Sequence, residues 1–200
     1  MKPSDLMLSV IEFFGILIPG AILVFLHGDF ILSPLGLSLG FLQEAKDWII
    51  AFFISIILGH LLHSLSDQLD ELAARFLSVK TKSYQQEACK HLQLPSGVPP
   101  IPKNYFYSAF SFARIHSSDA VVELDRHAAD YKLFRSLTLV FLLDIPLSAL
   151  SCLLSWERAA ASTVLFCFSA YRFRQLLDWT YALAFDFYLQ IQKAPSNGKS

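Results

Sequence analysis

Apolar residues along this chain gather into long runs, and the polar positions collect between the runs rather than alternating with them. Leu6–Leu26, Trp48–Leu65 and Leu133–Leu154 each come close to the about 20 mostly apolar residues that a helix needs to cross a bilayer core. A fourth run, Ala159–Tyr171, would reach only roughly 20 Å and must borrow flanking residues. The pattern predicts an all-α integral membrane protein with four transmembrane helices. Trp156-Glu157-Arg158 leaves room only for a tight turn between the third and fourth.

Between spans two and three, Ser66–Gln93 reads as a helix running on from span two, and LPSGVPPIPKN (94–104) as a proline-rich break. Asn104 is placed to cap the helix that follows, and Ser117 or Ser118 the next one, which runs unbroken into span three. After span four, RQLLDWTYALAFDFYLQIQK continues as a helix too aromatic to stand alone in water, and APSNGKS reads as a disordered tail. The predicted organisation is a first hairpin over 1–65, a helical cytoplasmic module over 66–132, a second hairpin over 133–174, and a C-terminal helix with its tail over 175–200.

Charge sets the orientation. The segment 66–132 holds Arg75, Lys80, Lys82, Lys90, Lys103, Arg114, Arg126 and Lys132, whereas 27–47 holds only Lys46 and the 156–158 turn only Arg158. Lys2 precedes span one, and Arg172, Arg174, Lys193 and Lys199 follow span four. The positive-inside rule therefore predicts a multi-pass protein of the inner (cytoplasmic) membrane with both termini and the central module in the cytoplasm. The Leu6–Leu26 run contains Glu12 and lacks a clean small-residue cleavage site, so it reads as a retained span rather than a signal peptide.

Composition sharpens this picture. Hydrophobic residues make up 54% and charged residues 16%, against about 25% charge in ordinary soluble domains; mean hydropathy is +0.46. The net charge of −1 carries no basic footprint for direct nucleic-acid binding. Cys89, Cys152 and Cys167 form no CxxC pair and read as small packed hydrophobes rather than a disulfide scaffold.

Several residues are candidates for chemistry. In GHLLHSLSDQLDE (59–71), His60, His63, Asp67, Asp70 and Glu71 share an arc of roughly 100° on one helix face. His60, His63, Asp67 and Asp70 could offer ligands to a divalent metal; a helix becoming polar as it leaves the membrane produces the same pattern. Glu12 inside span one needs a partner, and His60 at similar depth in span two is placed to form an intramembrane polar pair with it. Pro19-Gly20 in span one, and Asp144 with Pro146 in span three, predict a kink or gate, with Asp144 capping the helical segment that follows the proline break. His116, Asp119, Glu123, Arg126, His127 and Asp130 read as a solvated helix face. There is no G-x-S-x-G elbow, no H-E-x-x-H and no Walker loop, and no R-x4-6-H spacing of the HEPN ribonuclease kind.

DQLDELAAR (67–75) matches part of the D-x2-D-G-x2-A-R signature of CDP-alcohol phosphatidyltransferases at Asp67, Asp70, Ala74 and Arg75. Glu71 replaces the glycine and the second half of the signature is absent, so membership is rejected. The combination of EFFGILIPG, GHLLHSLS and AADYKLFRSLTLVFLL resembles small prokaryotic multi-span membrane proteins, some of them components of antiviral defence systems. That resemblance implies an oligomer gated or recruited by a cytoplasmic partner, and it assigns no functional residue. The expected function is a non-enzymatic, oligomeric inner-membrane protein coupling a cytoplasmic partner to anchoring or permeabilisation of the bilayer. The alternatives are a metal-dependent enzyme at the cytoplasmic leaflet, built on Glu12, His60, His63, Asp67 and Asp70, and a small transporter using Glu12 and Asp144. No cofactor is implied beyond that metal.

Overall fold

The computed structural model describes residues 3–32, 44–74, 78–92, 102–151, 153 and 155–193, without the side chains of 3–12, 45, 71, 72, 74, 79, 80, 102, 118 and 119. Among the described residues all regular structure is helical: α1 (Pro3–Leu32), α2 (Ala45–Ala74), α3 (Val79–Cys89), α4 (Pro102–His116), α5 (Ser118–Leu150) and α6 (Trp156–Lys193). Three helices are long and apolar enough to cross a membrane, over Phe13–Leu32, Lys46–Asp70 and Ala120–Leu150. The protein is thus membrane-embedded and all-α. The fourth sequence run, 159–171, lies inside α6, which is not among these three.

Residues Met1–Asp67 with Ala129–Phe173 form one compact unit, and Gln68–Ala128 with Arg174–Ser200 a second. In the first, Leu23, Leu62, Val140 and Phe141 form a buried cluster against which Leu58, Leu137, Leu147 and Phe166 pack. This brings α1, α2, α5 and the start of α6 together. The same unit also turns apolar side chains outward, Phe25 most of all at 86% exposed, with Phe53, Ile57, Leu61 and Val164. Apolar residues inside and outside alike are what a helix bundle in lipid requires. Hydroxyls in these helices bond the preceding turn: Ser55 donates to the Ala51 carbonyl at 2.7 Å and Thr138 to that of Phe134 at 2.8 Å.

Helices α1 and α2 approach closely where both lack side chains. A Cβ on Gly20 would overlap the Ser55 carbonyl oxygen and lie 2.8 Å from the Gly59 nitrogen, and one on Gly59 would overlap the Ile16 carbonyl oxygen. Gly20, expected as part of a kink or gate, is therefore a helix-contact glycine. Pro19 is buried beside it, and α1 continues through both.

The second unit has an aromatic core. Phe106 stacks on Tyr181 at 4.2 Å and 8°, Tyr181 meets Phe185 edge-on, and Phe112 meets Tyr188 at 4.9 Å. Such pairs add about 0.5–1.5 kcal/mol beyond their buried area. Arg114 on α4 grips both Asp125 oxygens on α5, at 2.9 and 3.1 Å. Burial, together with the charge of Asp70, pushes the Tyr181 phenol well above its ordinary value and keeps it protonated. At the surface, the Lys193 ammonium lies 3.0 Å from Glu87 and holds that carboxyl below its ordinary value. Because this pKa is lowered on folding, any stabilisation from the pair is present at neutral pH and lost as pH falls through the depressed value.

The expected continuous helix over 66–93 is interrupted. Ser78 has extended backbone and starts a new helix, its Oγ accepting from the Thr81 N–H at 3.2 Å, while its own N–H donates to Asp178 Oδ1 on α6 at 2.8 Å. The cap ends one helix register and begins another. We expect Ser78→Ala to lower stability by about 1 kcal/mol, read as a drop in the thermal midpoint by circular dichroism. Asn104 is not a cap, because α4 already begins at Pro102, a residue favoured in the first helical turn. Ser117 does cap α5, accepting from the Ala120 N–H at 3.3 Å. The link before α6 is 151–155 rather than 156–158, and Ser155 caps α6 by accepting from the Arg158 N–H at 3.2 Å.

Candidate functional site

Three helices of the apolar unit each turn one polar face inward at the same place. On α1 the buried positions Leu23 and His27 follow helical spacing, on α5 Val140, Asp144 and Ser148 do, and α6 contributes Ser162 with Arg158 one turn earlier. They meet at the Asp144 carboxylate, which is 1% exposed. Its Oδ1 accepts from His27 Nε2 at 2.7 Å, from Arg158 Nη2 at 2.8 Å and from Ser148 Oγ at 3.3 Å. Its Oδ2 accepts from Ser162 Oγ. Arg158 also reaches the Leu26 carbonyl at 3.3 Å, adding a second tie from α6 to α1.

The donor set orients the ring. Nε2 points at a carboxylate and therefore carries the imidazole proton, so its 3.4 Å approach to Arg158 Nη2 sets two donors side by side around one acceptor rather than bonding them. Asp144 and Arg158 balance in charge. Compensation of this kind makes ionic groups tolerable in an apolar bundle. What the cluster does chemically is lock α1, α5 and α6 at fixed register.

Asp144 thus has a different role from the cap expected after a proline break. α5 runs without interruption from Ser118 through Pro146 to Leu150, so there is no new helix start to cap, and the carboxylate turns to donors on its neighbours. Pro146 itself is exposed. His27, Arg158 and Ser162 were not singled out by the sequence. The run Leu6–Leu26 stops short of His27, whereas Ile31 and Leu32 continue the apolar spacing and α1 extends to Leu32. Arg158, expected in the turn before span four, lies in the first turn of α6. The usable signal was Asp144, because an ionisable residue inside a span calls for a countercharge.

The polar face of α2 is organised by a second cationic residue. Buried Arg135 on α5 forms an ion pair with Asp67 at 2.6 Å and approaches His63 Nδ1 and the His63 carbonyl, both at 3.4 Å. A cavity of about 240 Å³ beside it is lined by Gly15, Ile16, His63, Ala129 and Lys132. His60 is exposed, and Asp70 is buried and belongs to the second unit. Among the described residues no group of three or more His, Cys, Asp or Glu is arranged to hold a metal ion. The Glu12 and Glu71 side chains lie outside the described residues, and with them the Glu12–His60 pair. We expect Arg135→Ala to destabilise the unit by leaving Asp67 without its partner. Arg135→Lys is expected to restore only part of the loss, since one ammonium cannot serve Asp67 and the His63 carbonyl in the same fork; unfolding in detergent reads both variants.

Comparison of the chain with protein-family models, with curated proteins and with solved structures finds no match.

Proposed function

We propose that this is a non-enzymatic, oligomeric protein of the cytoplasmic membrane whose second helical unit receives a soluble cytoplasmic partner while its spans anchor, and on recruitment permeabilise, the bilayer. The observation that carries the reading is the surface of that second unit. It packs its own aromatic core, yet exposes Tyr107, Trp179 and, at 79%, Ile115, all outside the three long apolar spans. Exposed aromatic and aliphatic side chains on a folded helical unit suit a protein contact.

In this reading the first half of α6 is a fourth span. Val164, Leu165, Phe168 and Tyr171 face outward there, and the Arg158 and Ser162 side chains, which lower its apolar character, are both satisfied by Asp144. Four spans put both termini and the second unit on one side, in agreement with the distribution of Lys and Arg. The resemblance to prokaryotic defence components supplies a setting for recruitment of this kind.

The test is extraction of the full chain in native nanodiscs, with copy number and composition read by mass measurement. More than one copy per particle is expected, together with a stoichiometric soluble chain that is lost from a folded Ile115→Glu, Trp179→Glu variant. Vesicles carrying the complex should release entrapped dye when the partner is added. A monomeric particle with no bound chain would overturn the proposal.

A further inference from the structure

One face of α2 is committed to its own bundle. Ala51, Ser55, Leu62 and Ser66 are buried at helical spacing, and Gly59 on the same stripe meets the Ile16 backbone of α1. Two positions on, about 200° around the helix, the side chains point the other way. Phe53 and Ile57 are each 60% exposed and Leu61 54%. This outward stripe suits lipid except at His60 and Ser64, which are exposed on it as well.

His60 is deep in the span. It lies about 18 Å of helix rise from Trp48 and about 10 Å from Asp67, too far for a short imidazole to reach water as a long Lys or Arg side chain would. The other histidine of this stretch, His63, is engaged by Arg135. His60 makes no hydrogen bond to any described residue. Ionisable side chains inside a span face protein or a water-filled cavity, and pair there. Phe53, Ile57 and Leu61 around His60 are no lining for water, so the stripe is one that protein covers.

We propose that the covering protein is a second copy of this chain, packed α2 against α2 with His60 meeting His60 of that copy. This rests on the oligomeric reading above and gives it an interface. Copies inserted in the same orientation are related by a two-fold axis along the bilayer normal, which sets each residue of α2 opposite its own counterpart at the same depth. A residue so placed must be complementary to itself. Neutral imidazole is, since it carries one N–H donor and one ring-nitrogen acceptor, whereas a lipid tail offers neither. Ser64, one turn along the same stripe, is a hydroxyl donor and acceptor and fits the same rule.

The experiment uses the full chain in lipid vesicles, with Cys89, Cys152 and Cys167 replaced by serine and one new cysteine at a time. Oxidation is expected to join copies through Ile57→Cys, His60→Cys and Ser64→Cys, and not through Leu142→Cys or Val164→Cys, exposed positions on α5 and α6. In the chain with its own cysteines, dilution into excess lipid with copy number read by mass measurement should show His60→Leu separating at roughly three- to twentyfold higher protein concentration, the scale of one hydrogen bond between spans. His60→Asn, which keeps a donor and an acceptor, should recover most of that loss. The unfolding midpoint of the single chain should not move in His60→Leu, because the side chain faces away from the core. Particles of several copies that cross-link only through α5 or α6 would remove this interface and leave the oligomeric reading standing; one copy per particle at every concentration would remove both. Unchanged association of His60→Leu, or a lowered unfolding midpoint that puts the partner of His60 within its own chain, would overturn the pairing.

Discussion

Asp144→Ala is expected to lower the stability of the apolar unit by about 3–5 kcal/mol, the range found when one partner of a buried ion pair is removed. The loss exceeds that of the hydrogen bonds themselves. Without the carboxylate, Arg158 keeps its charge beside His27 with no countercharge, and the His27 and Ser162 donors lose their acceptor. α1, α5 and α6 also lose the carboxylate on which their donors converge. Asp144→Asn keeps an acceptor oxygen but not the charge, and should fall between the wild type and the alanine variant.

A double replacement separates the lock from mere loss of packing. Asp144→Leu with Arg158→Met removes both charges and refills their space with apolar atoms. Buried ion pairs exchanged in this way are often neutral in stability, so the double variant should recover most of what Asp144→Leu alone loses. Denaturant unfolding in detergent micelles, followed by circular dichroism, gives the four corners of the cycle. A coupling above about 1 kcal/mol is expected for residues in direct contact. If Asp144→Ala unfolds at the wild-type midpoint, the cluster does not hold these helices together.

The helical character and the apolar spans were legible because they rest on run length, which neither partner choice nor register can alter. Leu6–Leu26, Trp48–Leu65 and Leu133–Leu154 each overlap one of the three long apolar helices. Local chemistry was legible where it is strictly local, as at the Ser117 cap. The ionic cluster was not, because it depends on which helices meet: His27 and Asp144 are 117 residues apart, and Arg158 is 131 from His27. The run Leu6–Leu26 stops one residue short of His27, which α1 carries inside the helix. Of His60, His63, Asp67 and Asp70, Arg135 engages His63 and Asp67, and it lies on another element. A charge inside an apolar run says that a partner exists, and only the packing says which.

Gly59→Ala carries the second large expected effect, because the added atom has nowhere to go. Its Cβ would overlap the Ile16 carbonyl oxygen and meet the Ile16 carbonyl carbon at 2.9 Å, and these are backbone atoms that no rotamer change can move. Across the same contact, a Cβ on Gly20 would overlap the Ser55 carbonyl oxygen. Either substitution must push α1 and α2 apart, with loss of close helix packing and loosening of the buried cluster that holds Leu23 and Leu62. Overpacking a well-fitted contact costs about 1–3 kcal/mol, occasionally more, and Gly59→Val should exceed Gly59→Ala. Gly15 supplies the internal control: on the same helix as Gly20, its added Cβ meets nothing within 4 Å. Gly15→Ala should therefore be neutral or stabilising by up to about 1 kcal/mol, the helix-propensity difference. The same unfolding measurement reads all of these variants, and the contrast between Gly15 and Gly59 is the decisive quantity. Equal stability of Gly15→Ala and Gly59→Ala would mean that α1 and α2 do not pack through these glycines.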